Sequence, residues 1–159
     1  MPPPFQRFLE DHRQEVHGFL RAAVGPDDAD DCLQETFMAA LRAYPRLRPD
    51  SDLRAWVLTI ARRKAVDAHR ARARRPVAMA DPPERGTQPP DGADPDLWAE
   101  VRHLPDRQRT AIALRFVSDL SYARIARVMG TSEEAARRSV HEGLRRLRAG
   151  AWATDRSAA

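Results

Sequence analysis

The sequence predicts an all-α protein made of two small helical domains that are joined by a flexible, proline-rich linker. Apolar residues recur at helical spacing in both halves of the 159-residue chain. Between them, residues 76–96 contain six prolines and few large apolar residues, so this segment cannot bury enough surface to fold. The C-terminal half also carries a helix-turn-helix pattern. These three observations together define the fold class.

The N-terminal domain, residues 1–75, is predicted to contain three helices. The first runs from about Phe5 to Val24, where Gly25 and Pro26 end it. The second is predicted to be capped by Asp27 or Asp28. Its predicted apolar stripe comprises Ala29, Leu33, Thr36, Phe37, Ala40, Leu41 and Tyr44. The third helix is predicted over about Ser51–Arg74.

The C-terminal domain, residues 97–148, carries the helix-turn-helix. A short helix from Tyr122 to Met129 ends at Gly130, and Thr131-Ser-Glu-Glu134 indicates a capping box that opens the last helix. Four side chains lie off the apolar stripe of that helix, where they can reach base edges or phosphates: Arg137, Arg138, His141 and Arg145. Residues 149–159 are predicted to be a disordered tail.

The charge of the chain is segmented, which favours a polyanionic partner for each domain. Residues 1–75 carry 14 basic and 11 acidic groups, residues 76–96 carry one and five, and residues 97–159 carry 12 and seven. Between Arg54 and Arg75 stand eight basic residues and a single acid, Asp67. This density suits contact with a nucleic-acid backbone, and Trp56 could support an unstacked base, although core packing also accounts for it.

Several classes of function are disfavoured. The single cysteine, Cys32, excludes an internal disulfide, and no histidine pair has metal-ligand spacing, so neither a metal nor a cofactor is predicted. The aspartates between Asp27 and Asp31 formally match a magnesium-diphosphate motif, but so short a chain lacks the large cavity that such enzymes need. No apolar run is long enough to span a membrane, and the N-terminus lacks the pattern of a secretory signal, which predicts a cytoplasmic protein. Because no nucleophile and base stand together, a non-catalytic protein is predicted.

An ordered set of motifs resembles the bacterial extracytoplasmic-function (ECF) sigma factors, which consist of sigma regions 2 and 4 only. The resemblance covers about Phe5 to Arg148. In region 2 it is carried by Asp31-Cys-Leu-Gln-Glu-Thr-Phe37 and Arg54-Ala-Trp-Val-Leu-Thr-Ile-Ala-Arg62. In region 4 it is carried by Leu104-Pro-Asp-Arg-Gln-Arg109 and Leu120-Ser-Tyr-Ala-Arg-Ile-Ala126.

The resemblance implies a partner and a DNA contact for each region. Core RNA polymerase would be bound through its beta-prime clamp helices, by Asp31, Gln34 and Glu35, and through its beta flap, by region 4. Minus-ten DNA would be opened and held, with one base flipped, by Arg48, Asp50, Ser51, Arg54, Trp56, Arg62, Arg63 and Lys64. Minus-thirty-five DNA would be read as duplex by Thr131, Ser132, Arg137, Arg138, His141 and Arg145.

The chain also departs from the family pattern. Arg63 stands where the family usually has asparagine, and Arg124 stands where it usually has glutamate, so the promoter sequence cannot be carried over. The resemblance further implies a free monomer, without membrane insertion, that an anti-sigma factor could hold inactive. Ala158 and Ala159 suggest a degradation signal, for which a frayed chain end is an equal explanation. The alternative function is a conventional helix-turn-helix transcriptional regulator.

Overall fold

The computed structural model describes residues 2–74 and 95–157, with side chains described up to residue 150. These ranges contain seven α-helices and no strand, which confirms the predicted all-α class. The N-terminal unit comprises α1 (Phe5–Val24), α2 (Pro26–Ala43), a 3-10 turn (Tyr44–Arg46) and α3 (Leu53–Arg74). The C-terminal unit comprises α4 (Pro95–Arg102), α5 (Asp106–Phe116), α6 (Tyr122–Met129) and α7 (Glu133–Ser157).

The junction between α1 and α2 is built on Gly25, whose φ of +88° is readily adopted only by glycine. Pro26 then occupies the first position of α2, where its fixed φ suits a helix and no amide proton is needed. The prediction that Asp27 or Asp28 caps this helix was therefore wrong, because Gly25 is the cap residue. Both aspartates lie in the first turn instead, where their negative charges interact favourably with the positive end of the helix dipole.

The core of the N-terminal unit is an aromatic and aliphatic cluster centred on the fully buried Phe8. The ring of Phe8 lies 5.7 Å from that of Trp56 and 5.2 Å from that of Tyr44. Leu41 was predicted to share this core, but it is 54% exposed. It falls at the edge of the apolar stripe of α2, one residue beyond the fully buried Ala40, and therefore faces outward.

The C-terminal unit has the predicted helix-turn-helix. Gly130 ends α6 in the left-handed conformation, with a φ of +65°. The hydroxyl of Ser132 accepts a hydrogen bond from the amide of Ala135, 3.1 Å away, and so caps α7. The prediction of a capping box that starts at Thr131 was therefore wrong, because Ser132 is the cap residue. In a capping box the third residue of the helix is a glutamate or glutamine that bonds back to the cap residue, and Ala135 occupies that position.

Helix α7 extends to Ser157, so the backbone of residues 149–157 is helical where the sequence predicted a disordered tail. Alanine is the best helix former and recurs in this segment, which favours the extension. The suggested degradation signal at Ala158 and Ala159 lies outside the described residues. So does the predicted linker over residues 76–96, apart from its last two residues, which begin α4.

The two units pack against each other, and one apolar cluster continues through both. Helix α1 contacts α4 and α5, while α3 contacts α6. At this seam Gly18 of α1 faces Val117, and a methyl group at Gly18 would lie at an ordinary contact distance of 3.5 Å from a Val117 side-chain carbon. Within the described part of the chain, no helix has both the length and the apolar character to cross a membrane.

Candidate nucleic-acid interface

The predicted polymerase-binding residues share one face of α2. Asp31, Gln34 and Glu35 are all exposed, because the opposite face of the helix carries the buried residues. Met38 and Leu41 continue the same outer face and are 52% and 54% exposed. Sequence analysis missed both as surface residues. The signal was available in their spacing, since Gln34, Met38 and Leu41 recur at four and three residues, as one helix face requires.

The predicted minus-ten residues lie in the loop before α3 and along that helix. Arg48 and Asp50 are exposed in the loop, and the amide of Ser51 donates to the carbonyl of Arg48 over 3.1 Å, which closes a turn. The Asp52 carboxylate accepts from the amide of Ala55 at 3.2 Å and caps α3. The loop therefore has a defined shape and leads directly into the basic helix.

Arg54, at the first turn of α3, is already engaged within the protein. Its Nε and Nη2 atoms both lie 2.6 Å from Glu15 Oε1 on α1. Nη2 also donates to the carbonyl of Ser118, which follows α5 in the C-terminal unit. In this arrangement the guanidinium joins both units, so its Nε and Nη2 must leave these partners before they can contact DNA.

The remaining minus-ten candidates do not form a single surface. Trp56 is half-buried in the aromatic cluster around Phe8, which is a packing position. Arg62, Arg63 and Lys64 are consecutive, so they point to different sides of α3, and only Arg63 is exposed. Burial, and next the positive charges of Arg63 and Arg107, lower the pKa of Arg62.

The predicted minus-thirty-five residues form a continuous exposed face on α7. Arg137, Arg138, His141 and Arg145 are all exposed, and the half-buried Thr131 and the exposed Ser132 stand at the start of the helix. Arg137 also fixes the geometry of the motif, because its guanidinium lies 4.9 Å from the ring centroid of Tyr122 on α6. Arg115 of α5 approaches the same ring at the same distance.

The two candidate DNA surfaces meet at an ionic contact between the units. Asp52, the cap of α3, lies 3.5 Å from the Nε of Arg124 and 3.9 Å from the Nη1 of Arg127, both on α6. With the contact between Arg54 and Ser118, this places the first helix of the helix-turn-helix across the start of α3. The entry to the basic helix is thereby partly covered.

Buried polar groups elsewhere are structural. Arg109 is 4% exposed, and it donates to the Leu104 carbonyl at 3.0 Å and to the Asp106 carboxylate. Burial lowers its pKa, and the Asp106 carboxylate opposes that shift. Cys32 is buried, and desolvation together with nearby acidic groups raises the pKa of its thiol to about 11, so it is an inert core residue. No cluster of potential metal ligands occurs within the described ranges.

A helical protein with a basic helix in one part and a helix-turn-helix in the other has the architecture of a sigma-type initiation factor. Residues 8–75 match the family model "Sigma-70 region 2", and residues 96–147 match "Sigma-70, region 4". The chain therefore belongs to the sigma-70 family, and within it to the ECF sigma factors, which direct transcription initiation.

The relatives agree with this assignment. The chain is 32% identical over 154 residues to RNA polymerase sigma factor CarQ of Myxococcus xanthus, a match that covers 91% of this chain and 87% of CarQ. It is 32% identical over 136 residues to ECF sigma factor SigC of Mycobacterium tuberculosis, covering 79% and 71% of the two chains. These similarities favour a sigma factor over a conventional helix-turn-helix regulator.

A solved structure with the same fold is that of the sigma factor RpoE from Bartonella quintana, which was crystallised with the anti-sigma factor NepR. The TM-score is 0.71 at 26% sequence identity, and the alignment covers 90% of this chain and 93% of RpoE. The structure of CnrH in complex with the cytosolic domain of CnrY gives the same TM-score at 23% identity and supports the fold alone.

Proposed function

We propose that this sigma factor binds core RNA polymerase through α2, reads a bipartite promoter through α3 and α7, and helps to melt the minus-ten element. The observation that carries the proposal is the basic outer face of α7. It places Arg137, Arg138, His141 and Arg145 in solvent, on the second helix of a helix-turn-helix, which is the helix that enters the major groove.

The outer face of α2 is the proposed polymerase surface. Asp31, Gln34 and Glu35 supply polar and acidic groups, and Met38 and Leu41 add adjacent apolar area that is more than half exposed. A polar rim beside an apolar centre is the usual composition of a protein interface. Such a surface would bind the beta-prime clamp helices, and the beta flap is proposed as the partner of region 4.

Minus-ten DNA is the proposed ligand of the loop before α3 and of the basic groups along that helix. Arg48, Asp50 and Ser51 stand on the loop, where they would receive a flipped base. Arg63 is exposed for contact with the backbone of the opened strand. Arg54 and Arg62 contact residues of region 4, so they join that surface fully only when region 4 moves away from α3. Lys64 is half-buried on the same helix. Trp56 stands in the aromatic core, so we assign it the support of α3 and no stacking with a base.

The protein is proposed to act as a non-catalytic monomer in the cytoplasm, where RNA polymerase works. An anti-sigma factor is proposed as its regulator, because the related RpoE was crystallised with one. The α2 face is the surface on which such a regulator would compete with the polymerase. No cofactor is proposed for any of these steps.

The test is transcription in vitro on DNA of the source genome, with core RNA polymerase freed of other sigma factors. Start sites are mapped with and without this protein. We expect discrete new starts that share two upstream sequence elements. If the folded protein yields no new start with an active core enzyme, the proposal is wrong.

A further inference from the structure

A small cavity of about 90 Å³ lies between the two units, where α3 faces α5 and the turn of the helix-turn-helix. Its polar lining comes from Arg62, Asp106, Arg107, Thr110, Thr131 and Ser139. One apolar side chain of α3 and one of α6 complete the wall. The volume admits a few water molecules or one small tetrahedral anion, and it is too small for a nucleobase.

The Nε atom of Arg62 is buried and has no hydrogen-bond partner in the protein. A buried guanidinium N–H without a partner costs free energy, so this group favours a hydrogen-bond acceptor in the cavity. The positive charge of Arg107 acts on Arg62 from the other side of the seam. A water molecule could accept the hydrogen bond, but only an anion would also offset the repulsion between the two guanidiniums.

The one carboxylate in the wall does not provide that compensation. Asp106 accepts a hydrogen bond from Arg109, whose guanidinium is 4% exposed, so its negative charge is matched within α5. Three hydroxyl groups remain, those of Thr110, Thr131 and Ser139, and each can donate a hydrogen bond. Two guanidiniums with several hydroxyl donors form the donor set that binds phosphate-type oxyanions.

We propose that this cavity is a binding seat for one phosphate-class oxyanion, held by Arg62 of region 2 and by Arg107, Thr131 and Ser139 of region 4. Because its walls come from both units, the bound anion bridges them and stabilises the packed arrangement by mass action. Arg62 and Thr131 also belong to the proposed DNA surfaces, so the anion would compete with promoter DNA. That last consequence rests on the proposed function, whereas the seat itself does not.

The experiment is a titration of the full-length, isotopically labelled chain with inorganic phosphate, in which chloride keeps the ionic strength constant. We expect a saturable shift of the Arg62 Nε–H signal and of the Thr131 and Ser139 amide signals. Arg62→Gln and Arg107→Ala should weaken the binding, read from the amide signals, by about tenfold or more. Arg70→Ala, which removes an exposed charge further along α3 and outside the cavity, is the control and should bind as the wild type does.

A linear, non-saturating response would overturn the proposal, because it would be ordinary screening of surface charge. An equal loss in all three variants would also overturn it. A short single-stranded oligonucleotide forms the second arm and tests the source of the phosphate. If the oligonucleotide shifts these signals and inorganic phosphate does not, Arg62 is only part of the DNA surface and no seat exists. Melting temperatures in chloride verify that each variant is folded.

Discussion

The Nε atom of Arg124 lies 3.5 Å from Oδ2 of Asp52, which joins the first helix of the helix-turn-helix to the residue that caps the basic helix α3. A glutamate is usual at the position of Arg124 in the resembling family, and a second carboxylate there would repel Asp52. Arginine reverses that interaction. The departure therefore contributes to the packing of region 4 on region 2 in this chain.

Replacing Asp52 with asparagine should test this ion pair selectively, because asparagine is as good a helix cap as aspartate but carries no charge. We expect a loss of about 0.2–1 kcal/mol in the free energy of unfolding, since Arg124 is partly exposed. A double-mutant cycle with Arg124→Gln should give a coupling energy of the same size. The same cycle with Arg127→Gln should give a smaller one, because Arg127 is more distant and 71% exposed. If the effects of Asp52→Asn and Arg124→Gln on the free energy of unfolding were strictly additive, the two residues would not stabilise each other, and the prediction would be wrong.

Gly143 of α7 should not tolerate alanine, although alanine is the better helix former. A methyl group at this position would collide with the buried side chain of Ile112 on α5. Overpacking of this kind costs about 1–3 kcal/mol, which we expect as a lower midpoint of urea unfolding. Ile112→Val removes the colliding carbon, so the double variant should be more stable than the sum of the two single changes predicts. An additive result would show that α5 and α7 can separate freely.

His69 should make the stability depend on pH. Its Nε2 lies 2.7 Å from the Ala23 carbonyl, so this nitrogen donates from a neutral ring, and burial lowers the pKa of His69 below its ordinary 6.5. The unfolded state then binds the proton first, so this stabilisation is complete above pH 6.5 and is lost as the pH falls from that value through the lower pKa of the folded state. Thermal unfolding of His69→Gln should depend less on pH than that of the wild type between pH about 7.5 and 5.5. The exposed His103→Gln is the control, and equal curves for all three proteins would contradict the prediction.

The α2 face should control polymerase binding independently of DNA binding. In the variant that combines Gln34→Ala with Glu35→Lys, we expect the affinity for core RNA polymerase to fall by about tenfold or more. Duplex DNA binding by region 4 should be unchanged. The matched control combines Gln6→Ala with Glu10→Lys on the exposed face of α1. Competition with a labelled sigma factor measures the affinity, and an equal loss in the control would refute a specific surface.

The basic face of α7 should have the converse effect. The variant that combines Arg137→Ala with Arg138→Ala should weaken binding to the minus-thirty-five duplex. A plot of the logarithm of the binding constant against the logarithm of the salt concentration should also become less steep, by about 0.9 for each phosphate that is no longer neutralised. Core polymerase binding should persist. Arg7→Ala with Arg146→Ala removes the same charge from exposed positions outside the proposed face. If that control weakened DNA binding equally, the effect would be one of net charge and not of recognition.

Local patterns in the sequence were sufficient for most of the helices. The prediction for α1 agrees with the structure at both ends, because its apolar spacing and the Gly25-Pro26 break are local signals. One error arose where two adjacent residues competed for one role, at the cap of α7. Thr131 and Ser132 can each cap a helix, and only the backbone path decides between them.

The polar contacts within and between the two units could not be predicted, because they depend on tertiary packing. The hydrogen bond from Arg54 to Ser118 joins residues 64 positions apart, and no local pattern signals it. Sequence analysis treated Arg54 and Arg62 as free DNA-binding residues, yet one is bonded within the protein and the other has a buried Nε. The sequence counted Arg109 among the basic groups of residues 97–159, and nothing local showed that it is almost fully buried. Basic composition thus overestimated how much of the predicted DNA surfaces is open.

The apolar cluster that runs through both units has a consequence for the modularity of this protein. The regions of a sigma factor can be exchanged between relatives in an engineered hybrid, in which the helix-turn-helix of one is fused to the promoter-melting half of another. In this chain Asp52 of one half and Arg124 of the other form an ion pair across the seam, and buried apolar residues of both halves share one cluster. A hybrid that keeps only one side of this seam would lose the ion pair and part of the apolar packing, so an exchange would have to carry the residues of the seam along with the helix-turn-helix.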